Sequence, residues 1–467
     1  MAPISPVSDP NTSTAQNYDD QMSELCDCAK PDGESQYKQL RTFFIRSLGP
    51  TYADLDIVQL ARLYPFNKTS TMKKRHPPMN DSLYTYNISH KVIRLSDRPQ
   101  AVVIITVVEF RSANLTQGGS GFQTFVQSSS TTEECPYKDF FNGTYVICCY
   151  IRENNSSINI ELQHADFSMF KGYRPISKRH IWNRLLTNIT YLSPIYAADD
   201  TCREKRFSGN ASNGYWVKLQ QKWNWVIDGC VMPFFSYQQL YECTQHKYEG
   251  NVQLIGDSHI RYLFYYLVQM SDKQPHLIKR QNKTINMEDG NFTLAWADTI
   301  DTHRKALQAY VSRATGSSRL LILDNGPWEM MQRGYVNHIR RFDTIVTMLR
   351  NILEKLPNTS IVWQESPTLP EFVYNKDIGS GNFVQNNYMI MSMNYNACSQ
   401  LKNIGVHCIP SFHMAYPWYT QLPERCGGTH ILCRKNDYQV ENFIGFSAVH
   451  YMLHTVCYQG QRIQTKN

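Results

Sequence analysis

The chain has 467 residues, 42% hydrophobic, 19% charged and 12% aromatic, enough to bury two or three cores and too mixed for a fibrous or disordered protein. Its net charge of +7 is spread over many segments, which argues against a nucleic-acid partner; the basic clusters at 72–78 and 177–180 read as solvated loops. No run of about 18 apolar residues occurs, so no integral membrane span is expected.

The first 21 residues are polar and lack the apolar core of a secretory leader. Two other features point to the secretory route all the same. Asn-x-Ser/Thr tripeptides begin at thirteen positions, from Asn11 to Asn358. There are thirteen cysteines and no CxxC pair, so most are expected as disulfides. The expectation is a secreted or Golgi/ER-lumenal chain whose leader is missing from this form.

Residues 1–75 read as a flexible tail and lead-in, rich in Ser, Asp, Asn and Pro. Residues 76–170 carry short runs of β-branched and aromatic residues, such as AVVIITVVEF (101–110) and GTYVICCYI (143–151), separated by turn clusters. That spacing predicts a β-sandwich. Residues 171–250 read as an irregular, Cys- and Trp-rich connector packed on the next domain, with five Trp and Tyr between 215 and 237.

From 251 to 467 the pattern alternates. Strands are expected at 251–255, 319–326 and 359–367, and helices at 259–270, 338–356 and 440–457. In the first helix Ile260, Leu263, Phe264, Leu267 and Val268 fall on one stripe. Strand–helix alternation predicts a parallel sheet covered on both faces. The fourteen histidines show no HExxH or other metal-ligand spacing and no Gly-rich phosphate loop occurs, so neither a metal nor a cofactor is expected.

In such a sheet, ligands bind beyond the carboxyl ends of the strands. Gly256, Asp257 and Ser258 stand at the end of the first strand, where a helix begins. Asn325 and Gly326 follow the second. The free N–H groups and positive dipole end of a helix at Ser258 would stabilise an anion, as acyl transfer requires. A simple helix cap at Asp257 or Ser258, and a turn at Asn325, explain the same residues without chemistry.

Four stretches in order carry a family resemblance. LIGDSHIRYLFYYL (254–267) and LLILDNGPW (320–328) resemble two blocks of the PC-esterase branch of SGNH hydrolases. YWVKLQQKWNWVIDGCVMPFF (215–235) is similar to that branch's Trp-rich lead-in. GGSGFQTFV (118–126), DFFNGTYVICCYI (139–151) and INIELQHA (158–165) resemble the neurexophilin-like domain of the NXPE family.

The resemblance implies an immunoglobulin/filamin-like β-sandwich followed by an SGNH-like (flavodoxin-like) three-layer α/β domain. It implies an O-acyl, chiefly acetyl, transferase or esterase, with a glycan or glycoprotein acceptor and an acyl donor as partners. Ser258 would be the nucleophile, Ser258 N–H and Asn325 the oxyanion donors, and Trp328 part of the pocket wall. His430 would be the base by its place before the last helix, with His450 and His454 as alternatives. Position 427 is Gly where the family places an Asp, so the carboxylate that orients the imidazole is missing from its usual place. Asp437, Glu441 and His413 are other candidate partners of the base. That departure keeps a second reading open, a catalytically inactive neurexophilin-like binding or adhesion module.

Overall fold

The computed structural model describes residues 86–94, 102–110, 121–135, 137–139, 143–153, 155–164, 179–186, 214–227, 230–270, 283–287, 290–313, 318–324, 328–329, 335–368, 387–418 and 443–458. The first half is antiparallel sheet. β1 (Tyr86–Arg94), β2 (Val102–Phe110), β6 (Thr144–Ile151) and β5 (Tyr137–Asp139) lie side by side in that order. A second sheet has seven strands: β11 (Cys230–Val231), β10 (Lys222–Ile227), β9 (Tyr215–Leu219), β4 (Thr131–Glu134), β3 (Gly121–Gln127), β7 (Ser156–His164) and β8 (Arg179–Leu186). Cys135, just past β4, is bonded to Cys149 of β6. Phe122 of β3 packs edge-on against Tyr137 at 5.3 Å and Tyr145 at 4.7 Å. A disulfide and an aromatic seam thus join the two sheets.

Residues 171–250 differ from the irregular connector expected. They supply four strands of the seven-stranded sheet, β8 to β11, and the helix α1 (Tyr237–Tyr248). Part of the basic cluster at 177–180, read as a loop, is strand: Arg179 and His180 open β8.

The second half is built on a six-stranded sheet: β13 (Lys283–Met287), β14 (Gly290–Trp296), β12 (Asn251–Gly256), β15 (Arg319–Leu323), β16 (Thr359–Gln364) and β17 (His407–Ile409). β13 pairs antiparallel with β14, and the other pairings are parallel. By their order in the chain, the five parallel strands lie 2-1-3-4-5 across the sheet. The helices are α2 (Ser258–Met270), α3 (Ile300–Arg313), α4 (Tyr335–Lys355), α5 (Asn387–Lys402), α6 (Ser411–Ala415), which runs on into a 3₁₀ turn (Tyr416–Trp418), and α7 (Phe443–Tyr458).

Strand periodicity sorts the core. Leu320 and Ile322 of β15 join one cluster with Leu263 and Phe264 of α2 and Ala448 and Met452 of α7. Leu321 and Leu323 face the other way, into a cluster with Leu307 of α3, Phe342 and Leu349 of α4 and Leu401 of α5. The α2 stripe read from sequence is buried throughout.

The first cluster also takes in Trp216, Trp225, Ile227, Met232 and Phe235, so the two halves share apolar core. Trp216 meets Trp225 at 5.1 Å, Trp418 at 6.2 Å and Phe443 at 5.0 Å. Trp418 in turn meets Phe443 at 5.0 Å and Trp223 at 4.7 Å. Trp216 Nε1 donates to the carbonyl of Met414 at 2.7 Å. Among the described residues two further disulfides brace the second half, Cys243–Cys457 between α1 and α7 and Cys398–Cys408 between α5 and β17. Among the described residues no helix is long and apolar enough to cross a membrane.

Candidate active site

The strand order reverses between β12 and β15, and their carboxyl ends open the crevice where a sheet of this kind binds ligands. Gly256 ends β12, Asp257 turns the chain, and Ser258 begins α2. The backbone bonds continue past the strand ends: Ala297 N donates to Gly256 O at 2.7 Å, and Asp324 N to Ile255 O at 3.3 Å.

Asp257 does the capping. Its Oδ1 accepts from His259 N at 2.8 Å, and its carbonyl accepts the first helical bond, from Arg261 N at 3.1 Å. Ser258 is released from that duty. It is 4% exposed, and among the described residues its Oγ has no hydrogen-bond partner. A buried hydroxyl left unpaired costs about 1–3 kcal/mol, a burden that a purely structural serine does not require.

Asp324, the residue after β15, was not singled out in the sequence. It is fully buried and accepts Asp257 N–H on Oδ1 at 3.1 Å. Burial first, and then the charge of Asp257, hold its carboxyl well above the usual carboxylate range. A Cβ at position 256 would lie 2.0 Å from Asp324 Oδ1 and 2.6 Å from Ile260 Cγ1, so only glycine admits this approach. His303 Nε2 meets the Asp324 carbonyl and its Nδ1 lies 2.9 Å from Thr299 O. Burial lowers the His303 pKa, and the neutral ring donates to one carbonyl at a time.

A few residues on, Glu329 is buried and accepts from Ile300 N at the start of α3 at 3.2 Å. It also pairs with Arg341 of α4, which reaches Asp301 at 2.7 Å. The segment after β15 is therefore anchored on α3 and α4. Trp328, half-buried, precedes Glu329 on it. No sequence pattern announces this scaffold, because its contacts run between separate elements.

The expected site residues divide as follows. Gly256, Asp257 and Ser258 form the turn. Asn325, Gly326 and His430, like Asp437 and Glu441, lie outside the described residues. His413 pairs with Glu134 of β4 at 2.6 Å. His450 Nδ1 accepts from Phe235 N at 3.0 Å, and burial pushes its pKa down to about 4. Its basic lone pair is thus engaged, and the ring packs between Phe235 and Phe446. His454 is buried on α7, with its ring 6.5 Å from that of Phe235. His259 and His338 are buried and neutral, each pushed to about 3 chiefly by burial. Among the described residues no imidazole lies within hydrogen-bond reach of Ser258 Oγ.

No protein-family model matches the chain. A curated relative, the N-acetylneuraminate (7)9-O-acetyltransferase of Danio rerio, is 23% identical over 186 residues, 38% of this chain and 22% of that protein. The chain therefore spans about a fifth of that relative's length. A solved structure described as a platelet activating factor from Streptococcus pneumonia overlaps with a TM-score of 0.29 and 14% identity, over 48% of this chain and 91% of that one. An overlap that slight defines neither fold nor function.

Proposed function

We propose that the chain is a secretory-pathway O-acyl transferase or esterase, of SGNH type, that acts on glycan hydroxyls through Ser258. The observation that carries this reading is the division of labour at the turn. Asp257 caps α2 and leaves the Ser258 hydroxyl without a partner among the described residues, at the switch point of a parallel sheet. The likeness to an O-acetyltransferase of sialic acid supports an acetyl group and a sialic acid hydroxyl as the first substrates to try. The disulfides and sequons support a lumenal or secreted setting.

In this reading Ser258 Oγ attacks the acyl carbonyl and its proton passes to His430. The oxygen of the carbonyl takes up charge facing Ser258 N–H, the start of α2 and Asn325 with Gly326. Collapse expels the donor's leaving group, which takes the proton from His430, and leaves an acyl-serine. A sugar hydroxyl then attacks the acyl-serine, giving up its proton to the same imidazole; the acyl–Oγ bond breaks and Ser258 Oγ takes that proton back. Water in the sugar's place makes the reaction an esterase. Trp328 lines the acyl pocket. The family this reading favours is NXPE, with the first-half sheets as its neurexophilin-like part.

A fluorophosphonate probe tests the mechanism. The full chain should be labelled at Ser258, and Ser258→Ala should lose labelling and acyl transfer while its thermal midpoint stays within a few degrees. Labelling unchanged in that variant would refute the assignment. The second reading, an inactive binding module, draws on Gly427 and on the absence, among the described residues, of an imidazole at Ser258. It predicts no labelling of the wild-type chain at any pH.

A further inference from the structure

Acyl transfer as written makes no use of Asp324, yet a carboxyl is held there away from water, which is costly without a purpose. Its Oδ1 accepts Asp257 N–H at 3.1 Å and lies directly over Gly256. The charge of the Asp257 carboxyl, whose Oδ1 caps α2 through His259 N–H, acts on it. Its carbonyl meets His303. One residue thus touches the turn that carries Ser258, while its own backbone leads straight into Asn325.

We propose that Asp324 is a positioning residue that ties the end of β15 to the end of β12 by accepting Asp257 N–H on a neutral carboxyl packed over Gly256, and so sets the spacing between Ser258 and the segment after β15. For its catalytic consequence this rests on Ser258 being the nucleophile; the tie itself does not. Two buried carboxyls at one turn cannot both ionise cheaply, so the proton stays on Asp324. His303 of α3 meets the Asp324 carbonyl, and Asp298, before α3, and His338 of α4 act on His303 in turn. The folded chain keeps a proton that the unfolded chain gives up above about pH 4. The stability it lends is complete below that pH and is lost as pH rises toward the folded value.

Asp324→Asn separates this role from simple packing. The amide still accepts Asp257 N–H and can donate to the Asp257 carboxylate, but has no proton to lose. Two readouts are needed on the full chain, the thermal midpoint and the rate of fluorophosphonate labelling at Ser258, both from about pH 5 to about pH 9. The wild-type midpoint should fall relative to Asp324→Asn as pH rises. Wild-type labelling should drop over the same range after allowance for probe hydrolysis, while the variant's changes less. Asp324→Ala, which breaks the tie, should slow labelling about tenfold or more at every pH. If Asp324→Asn tracks wild type in both readouts at every pH, or is as damaged as Asp324→Ala throughout, the proposal fails. If Asp324→Ala does not fold, the Asn variant alone decides. If wild type is never labelled, the nucleophile assignment falls, and the difference in midpoints still tests the tie.

Discussion

At the turn between β12 and α2, three consecutive residues have three separate physical jobs. Gly256 makes room, Asp257 caps, and Ser258 presents a hydroxyl that no described residue pairs. The first job can be tested without any substrate. Gly256→Ala drives a methyl group into Asp324 and Ile260, and should destabilise the fold by at least about 2 kcal/mol in urea denaturation. A loss under about 0.5 kcal/mol would mean that the Asp324 carboxyl can swing away freely. The sequence shows this turn, because a strand-like run stops at Gly-Asp-Ser and a helical stripe starts at once. It does not show which of Asp257 and Ser258 is the cap, since both residue types cap helices well. Asp324 was illegible for another reason: its meaning comes from contact with Gly256 and Asp257 across 67 residues of chain. His450 was a candidate base in the sequence, and only the bond from Phe235 N shows where its lone pair goes.

The element that couples the halves is the short stretch of α6 and the 3₁₀ turn after it. Tyr416 OH donates to Phe122 O at 3.0 Å and accepts from Thr124 N at 3.3 Å, both on β3. Gln123 Nε2 donates to Tyr416 O at 3.1 Å, and His413 pairs with Glu134 on β4. Tyr416→Phe removes the hydroxyl that bridges these two buried backbone groups and should cost about 1–3 kcal/mol. Glu365, at the end of β16 beside this joint, has a carboxyl raised to about 7, chiefly by burial. The folded state then binds a proton that the unfolded state loses near pH 4.5, so its contribution to stability fades as pH climbs through about 7. Glu365→Gln should remove that slope: above neutrality its thermal midpoint should exceed that of wild type, and equal midpoints at high pH would contradict the assignment. Periodicity gave β12, β15 and β16 with the helices α2, α4 and α7 to within a few residues, but not the parallel strands β14 and β17 or the helices α3 and α5. It missed the β9–β10 hairpin, whose turn is made by Gln220 and Gln221 at φ 48° and 65°. Such turns ordinarily announce themselves with Asn or Gly, and here that signal is absent.

Over the whole molecule, covalent links take up part of the work of the core. Cys243–Cys457 closes a loop with a sequence separation of 214 residues and clamps the last described helix to α1. On loop-closure grounds its removal through Cys457→Ala with Cys243→Ala should cost up to about 5 kcal/mol, read as a lower denaturant midpoint. The existence of bonded cysteines was expected from their number and setting, but which cysteines pair depends on helix packing that composition does not encode. A different consequence follows from the Trp216, Trp418 and Phe443 rings. The chain leaves this aromatic clasp at Trp418 and returns to it at Phe443, 25 residues later. The last residue described before 419–442 and the first described after it therefore sit against each other.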